Sequence, residues 1–308
     1  SSVFYSTTGT ATDWTTDSSS ILIPGEGKLQ SIIKASDRLV ATKTSNAIFR
    51  YDGNVLTDLV TKLGPDSYQS LGDVEDYTFW QNRLGIFMFN GASPQLISNA
   101  IQNQIYNRDN TGIAGGTFNT APGGVNKYDY YLSVGTITDS LVGDQISNAI
   151  IKYDYQKNEF SNYQYNNFPT AYVSYEDTSG IRQLMFGDST GQCYQTSPTA
   201  VSDNGSVITA SMQLVIHANS PFLDKEWGYL ELFTNPGCEA KVQVALEKTF
   251  ISSQKKWVEL GDLKGGFSQF RFPTGSRGRI CFLRIYESSA DSPFTLYGIN
   301  YTFNLINR

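Results

Sequence analysis

The octapeptide SNAIFRYD, Ser45 to Asp52, returns as SNAIIKYD, Ser147 to Asp154, 102 positions later. Only Phe→Ile and Arg→Lys differ. Agreement over that length marks an internal repeat, and a repeat dictates an architecture in which each unit covers the apolar face of its neighbour.

The residues around each copy say what the unit is. In DRLVATKTSNAIFRY, Asp37 to Tyr51, Leu39 and Ala41 share one face of a first run, and Ala47, Phe49 and Tyr51 share one face of a second. Period-2 patterning on either side of the polar trio Thr44-Ser45-Asn46 predicts a β-hairpin. QLMFGDSTGQCYQT, Gln183 to Thr196, lies over Arg38 to Tyr51 without a gap, placing Leu184 on Leu39 and Tyr194 on Phe49. NRLGIFMFN, Asn82 to Asn90, aligns with the first strand through Leu84, with PQLIS as a shorter return strand. Tyr130 to Asp154 is the same hairpin with a longer tip, and the opening SVFYSTTGTATDW reads as a copy cut at its start. The anchors Leu39, Leu84, Leu132 and Leu184 are 45, 48 and 52 residues apart. Four short strands fill such a length, with KLQSIIKA, DYTFW and TAYVSYED as further strands. A unit of roughly 40–50 residues is the size of a propeller blade. The expectation is a β-propeller of about five blades, with a solenoid as the competing architecture.

After Val207 the repeat stops. Met212–Ile216, Tyr229–Phe233, Lys241–Glu247, Lys256–Leu260, Phe267–Phe272, Arg279–Tyr286 and Thr295–Phe303 alternate apolar and polar residues. Seven strands in about 100 residues predict a β-sandwich, jelly-roll-like in character. The break in the alternation of RICFLRIY reads as a bulge. With the boundary in the Ser202–Ser206 cluster, the domains are 1–205 and 206–308, and the fold class is all-β.

Composition narrows the function. The chain is 40% hydrophobic and 17% charged, enough for a packed core. Its net charge of −6 leaves no basic footprint for gripping nucleic acid, although a smooth acidic channel past which DNA moves is compatible with it. Cys193, Cys238 and Cys281 are odd in number and far apart, with no C-x-x-C, so three reduced thiols on strands are expected rather than a disulfide framework or zinc site. No apolar run approaches the ~18 residues of a membrane span. The chain opens SSVFYS, without Met, in strand-like sequence, and an upstream segment or a removed tag is expected.

Candidate chemistry is sparse, and no catalytic, cofactor or metal residue is assigned. GDSTG, Gly187 to Gly191, matches G-x-S-x-G, but a nucleophile elbow needs a strand entering a helix and this is a hairpin tip. The sole histidine, His217, cannot build a multi-histidine metal site. Acidic residues fall in turn tetrads such as YDGN, EDTSG and SDNG, where turn chemistry explains them, with a weak Ca²⁺ loop as the alternative. TGIAGGTFNTAPGGV, Thr111 to Val125, reads as a long flexible loop between blades. Its Gly112, Gly115, Gly116, Phe118, Gly123 and Gly124 are candidates for a subunit interface or channel lining. YDYQKNEFSNYQYNNF, Tyr153 to Phe168, is rich in Tyr and Asn. Tyr163, Tyr165 and Asn166 are candidate glycan contacts, though such residues equally suit protein interfaces.

FYSTTGTATDW followed by GEGKLQSIIKASDRLVATKTSNAIFRYDG resembles the β-propeller structural proteins of tailed-phage virions, those of short-tail nozzles and head-to-tail connectors. The resemblance rests on Asp37, Leu39, Val40, Ala47, Ile48, Tyr51 and Gly53, on NGASPQLIS, and on the C-terminal KEWGYLELF and SRGRICFLRIYESSADSPFTLYGINY. It implies a virion tail protein, made in the host cytoplasm, that forms a homo-oligomeric ring, six-fold in a nozzle. Its partners would be copies of itself and other tail or connector proteins, with DNA passing transiently and unspecifically. It implies no enzymatic step and no cofactor. A glycan-binding receptor-recognition module is the alternative, and a propeller glycosidase, which needs converging carboxylates, is a third reading.

Overall fold

The computed structural model describes residues 2–4, 20–35, 38–45, 47–51, 56–60, 62–102, 120–138, 145–197, 200, 202–207, 210–218, 220–247, 255–287 and 295–306. Its regular structure is almost entirely β, and no helix among these residues is long and apolar enough to cross a membrane. The chain separates into two compact units, Ser1–Asp139 with Gln145–Thr196, and Ser197–Arg308 with Ser140–Asp144. The division falls slightly upstream of the Ser202–Ser206 cluster.

The first unit is a series of antiparallel propeller-type meanders. β1 (Ser2–Phe4) pairs with β2 (Ser20–Leu22). Sheet I contains β3 (Leu29–Ala35), β4 (Arg38–Lys43), β5 (Ile48–Tyr51) and β6 (Leu56–Val60). Sheet II contains β7 (Gly72–Val74), β8 (Tyr77–Asn82), β9 (Gly85–Phe89) and β10 (Pro94–Leu96). Sheet III contains β11 (Gly123–Val125), β12 (Asp129–Thr138), β13 (Gln145–Asp154) and β14 (Glu159–Gln164). Sheet IV contains β15 (Ala171–Glu176), β16 (Arg182–Gly187) and β17 (Cys193–Gln195). The first strands of successive sheets, β3, β7, β11 and β15, touch in turn.

The repeated phrase is the third strand of sheets I and III. Leu39 pairs with Tyr51 and Ala41 with Phe49, as the hairpin pattern predicts. The tip is held by the loop before β3: Thr44 Oγ1 accepts from Lys28 N, and Ser45 Oγ donates to Glu26 O. Two details of the repeat need correction. In sheet II the second strand is β8, drawn from YTFWQN, and Gly85–Phe89 is the return strand. Leu84 is therefore a 42% exposed turn residue rather than an anchor, and PQL is the outermost strand. In sheet III the residue opposite the repeated tyrosine is Tyr130, two positions before Leu132.

Sheets II and III each have two apolar faces and bury both by packing between neighbours. Val40 and Ile48 of sheet I meet Trp80, Phe87 and Phe89 of sheet II. Phe79 and Ile86, on the other face of sheet II, meet Tyr130, Leu132, Ala149, Ile151 and Tyr153 of sheet III. Tyr131 and Ile150 then meet Leu184 and Tyr172 of sheet IV. Phe79 stacks on Tyr130 at 5.3 Å between centroids. Such a ring, fully buried, contributes about 1.5–3 kcal/mol of transfer free energy. The polar ends of these large residues are satisfied: Tyr130 Oη donates to Ser70 O at 2.7 Å, and Trp80 Nε1 to Leu63 O at 2.7 Å.

Five turns of sheets II to IV share one device, an Asn or Asp side chain that accepts backbone N–H groups two to four residues on. Asn82 accepts from Leu84, Asn126 from Tyr128 and Asp129, and Asp154 from Gln156 and Lys157. Asp177 accepts from Ser179 and Ile181, and Asp188 from Thr190 and Gln192. GDSTG is thus the turn between β16 and β17.

The second unit opens with the short hairpin β18 (Ser202–Asp203) and β19 (Ser206–Val207). Seven longer strands and one short one build a β-sandwich: β20 (Ala210–Ile216), β21 (Lys225–Thr234), β22 (Glu239–Glu247), β23 (Val258–Lys264), β24 (Phe267–Arg271), β25 (Arg277–Gly278), β26 (Ile280–Glu287) and β27 (Leu296–Leu305). One sheet has the order β20-β26-β22-β23; in the other, β21 pairs with β24, β25 and β27. Leu230, Leu232, Val242, Val244, Cys281, Leu283 and Ile285 share the core between them with Trp227. The broken alternation of RICFLRIY is not a bulge. β26 pairs with β20 and β22 without a register shift, and Ile280 and Phe282 are buried on its other face with Ala245 and Trp257.

Candidate functional site

Sheet III carries Gly123, Gly124 and Tyr163 from the two groups of candidate residues, and it treats them differently. Gly112, Gly115, Gly116 and Phe118 lie outside the described residues. Gly123 and Gly124 are not loop residues: they form β11, opposite Leu132 and Tyr131, and are buried. A Cβ at Gly123 would stand 2.6 Å from Ser70 O. One at Gly124 would stand 2.6 Å from Tyr172 Cβ. Where the sheets converge, backbone packs directly on neighbouring sheets, and only glycine leaves the room. Ser174 Oγ of sheet IV donates to Val125 O at 2.5 Å across this junction.

The tyrosine-rich segment forms β14 and the turn after it. Tyr163 lies opposite Ile150 and is 39% exposed. Its ring meets the Lys152 ammonium at 5.7 Å and the edge of Tyr165 at 6.4 Å. Tyr165 has another task, since it stacks on Phe186 at 5.3 Å, closing the junction between sheets III and IV. Asn166 is exposed. The candidate trio therefore divides into an exposed pair, Tyr163 and Asn166, and a packing residue, Tyr165.

Next to Tyr163 the structure assembles groups that the sequence reading passed over. Lys152 Nζ lies 3.1 Å from Asp129 Oδ1 and 5.9 Å from the Tyr131 ring. Asp129 Oδ2 accepts from Asn126 Nδ2 at 3.3 Å and from Tyr131 Oη at 3.4 Å. Burial, and then the charge of Asp129, raise the Tyr131 phenol far above its ordinary range, so it stays a proton donor. The result is a fixed ammonium between two tyrosine rings, with its charge balanced by a carboxylate. Such an ammonium can meet a polar ring or an amide surface. Register was the available signal: Tyr131, Lys152 and Ser161 form one cross-strand row.

The remaining candidates are dispersed. Ser189 sits in the β16–β17 turn and His217 is exposed just beyond β20. Cys193 is exposed on β17, whereas Cys238 and Cys281 are buried, and all three are free thiols. Among the described residues no group of three or more His, Cys, Asp or Glu side chains is placed to hold a metal ion.

No family model matches the sequence, and no curated protein matches it. Solved structures similar to the chain include a glycoside hydrolase family 43 arabinoxylan arabinofuranohydrolase from Bacillus subtilis in complex with cellotetraose. Its identity is 10%, its TM-score 0.23, and the match covers 90% of this chain and 78% of that one. A protein described as a glycoside hydrolase is 13% identical, with a TM-score of 0.23 and coverage of 88% and 83%. A fungal alcohol oxidase of the AA5 family in complex with copper is 8% identical, with a TM-score of 0.27; the match covers 91% of this chain but spans 63% of that one. The expectation of a chain with no enzymatic step is corrected here, because these similar structures are those of enzymes. Likeness at this level assigns no reaction, substrate or metal to the present residues.

Proposed function

We propose that this chain is a structural component of a tailed-phage virion, a propeller-plus-sandwich protein whose copies associate into a ring at the tail or connector around the path of the DNA. The observation that carries this reading is an exposed aromatic sheet face in the second unit. On β21 the side chains alternate between core and surface: Leu230 and Leu232 are buried, while Tyr229 and Phe233 are 40% and 37% exposed. Across the sheet Phe233 pairs with Phe267, 56% exposed, at 5.2 Å between rings. Between these rows runs a polar one, in which Gln269 and Asn300 both donate to Glu231. Aromatic rows alternating with a hydrogen-bonded row provide both area and register for a neighbouring copy, and a heterologous contact of this kind closes into a ring by rotation. The sequence phrases that resemble those of virion propellers add to the reading.

The test is sedimentation velocity and electron microscopy of the purified chain, with Phe267→Asp as the interface variant. Rings or defined oligomers that dissociate in the variant are expected. A chain that stays monomeric at high concentration, and that mass spectrometry does not find in purified tails, would sink the proposal. A second reading, a glycan-binding module, is favoured by the exposed Tyr163 ring beside Lys152, with exposed Asn166 in the turn that follows; a glycan array without hits would remove it.

A further inference from the structure

The two sides of the sandwich end differently. On one side the outer strands are β23 and β24, joined through Gly265 and Gly266. They carry Glu259, Asp262, Lys264 and Arg271, and their core-facing Leu263 and Phe270 are buried. On the other side the outer strands are β20 and β27. Among the described residues β20 pairs with β26 alone and β27 with β21 alone, so each leaves one row of backbone N–H and C=O groups without a strand partner. Charged residues and prolines are common means of keeping an edge strand single. Neither ASMQLVI of β20 nor LYGINYTFNL of β27 contains one.

The apolar side chains on this side are also incompletely covered. Opposed residues of an antiparallel pair point to the same face. Ile299, Tyr301 and Phe303 lie opposite Leu232, Leu230 and Trp227 of the core, and Leu305 lies opposite the buried Lys225, so all of them point inward. Yet Tyr301 is 37% and Leu305 53% exposed, and Ile299 and Phe303 are half-buried. Met212 and Leu214 of β20 point inward opposite Ile285 and Leu283, and they are half-buried too. The sandwich is thus closed at β23 and β24 and open, in both backbone and core, at β20 and β27.

We propose that this open side joins two copies of the chain, with β27 pairing antiparallel to β27 of a second copy about a two-fold axis. An axis normal to the sheets keeps the inward rows together, continues the core from one copy into the other, and brings the two β20 edges together in the other layer. Charge selects the occupant. An uncharged strand set against itself opposes no like charges, whereas the same operation at β23 and β24 would bring Glu259, Asp262, Lys264 and Arg271 toward their own kind. The inward row limits the register: odd-numbered residues from Ile299 to Leu305 oppose odd-numbered ones, because a slip by one residue would turn the apolar row to solvent. The contact lies apart from the aromatic face of β21 and β24 and does not depend on ring assembly.

The experiment is sedimentation velocity of the full chain over a range of concentrations, with hydrogen exchange read along β27. The unmodified chain and Leu305→Ile form two-fold dimers. Leu305→Lys, whose ammonium reaches water in a single copy but would lie inside the joined core, weakens dimerisation by at least ~10-fold. Phe267→Asp, on the other side of the sandwich, leaves these dimers in place, which separates their failure from the failure of a ring. In the unmodified chain the amides of Leu296–Leu305 gain protection as concentration rises, and those of Val258–Lys264 do not. That measurement decides the matter if circular dichroism shows Leu305→Lys unfolded. The proposal is overturned by a chain that stays monomeric at high concentration, by dimers that Leu305→Lys leaves unchanged or that Phe267→Asp abolishes, or by protection of β27 that is the same at every concentration, which would mean that its own chain covers the edge.

Discussion

In the first unit every strand pairs with its neighbour in sequence, from β1–β2 through β15–β17. In the second, the central partnerships are β20 with β26 and β21 with β27, so most of the unit must be present before either forms. The cores differ in the same sense. The first unit has a succession of interfaces between sheets, sealed by rings such as Phe79–Tyr130 and Tyr165–Phe186. The second has one shared, largely aliphatic core. Local pairing makes a structure of semi-independent sheets, whereas distant pairing makes one cooperative body.

The largest test of this difference uses two buried tryptophans in similar settings. Trp80 donates to Leu63 O, and Trp227 to Gly278 O at 3.1 Å. Replacement of either by Ala costs about 3–5 kcal/mol. By hydrogen exchange, Trp227→Ala lowers protection throughout both sandwich sheets, while Trp80→Ala lowers it mainly in sheets I and II. Equal losses across all four meanders would break the comparison.

A smaller effect comes from two buried lysines, one in each unit. Lys43 Nζ donates to Ile23 O, Pro24 O and Gly25 O, three consecutive carbonyls. Lys225 Nζ donates to Ser220 O, Leu223 O and Arg279 O, joining segments far apart in the chain. Methionine in place of either strands buried carbonyls, at about 1–3 kcal/mol each before relaxation. Lys225→Met should lower the unfolding midpoint of its unit more than Lys43→Met lowers its own, because a loop of consecutive residues can turn its carbonyls to water. Equal shifts in chemical denaturation would contradict this.

Acid sharpens the picture further. The Thr190 hydroxyl and the Asn167 amide, then the turn's backbone donors, hold the Asp188 carboxyl well below its ordinary 3.8. Asp177 is lowered by Gln183 and the turn backbone. Burial pulls Asp154 upward, but Lys157 and Gln156 outweigh it. A depressed folded value means stability that is fully present above the unfolded value of about 4 and lost as pH falls through the folded one. Asp177→Asn with Asp188→Asn should therefore flatten the acid limb of the first unit's stability profile, and an unchanged limb would show that the turns do not carry it. The smallest effect is chemical: burial raises the Cys281 thiol to about 12, and raises Cys238 as well. Alkylation of the native chain near pH 8 should label the exposed Cys193 first, as read by peptide mass spectrometry.

How much of this was legible in the sequence follows from the same contrast. Hairpins such as Asp37–Tyr51 could be read because both strands and the turn lie within fifteen residues. Sheet II was misregistered because its second strand, YTFWQN, is buried on both faces, Thr78 and Gln81 included, so it shows no apolar–polar alternation; Phe79 and Trp80 face different sheets and both are buried. Gly123 and Gly124 read as loop, since what demands glycine there is Ser70, in the turn before sheet II, and Tyr172 of sheet IV. All seven long sandwich strands were visible as alternation, but not their order. Without that order, nothing in the sequence places β20 and β27 on one side of the sandwich.

One contact sets a schedule for the first unit. Arg182, at the start of β16, donates to Asp73 O and lies 3.8 Å from the Asp73 carboxylate, spanning from sheet IV to sheet II past the sheet between them. The two residues are 109 positions apart. In a chain emerging from the ribosome, sheets II and III can be complete while Asp73 still waits for its partner. Arg182 is therefore a late latch: a nascent chain stalled before it holds sheets I to III already packed on one another, with the tie from sheet IV to sheet II still to be made.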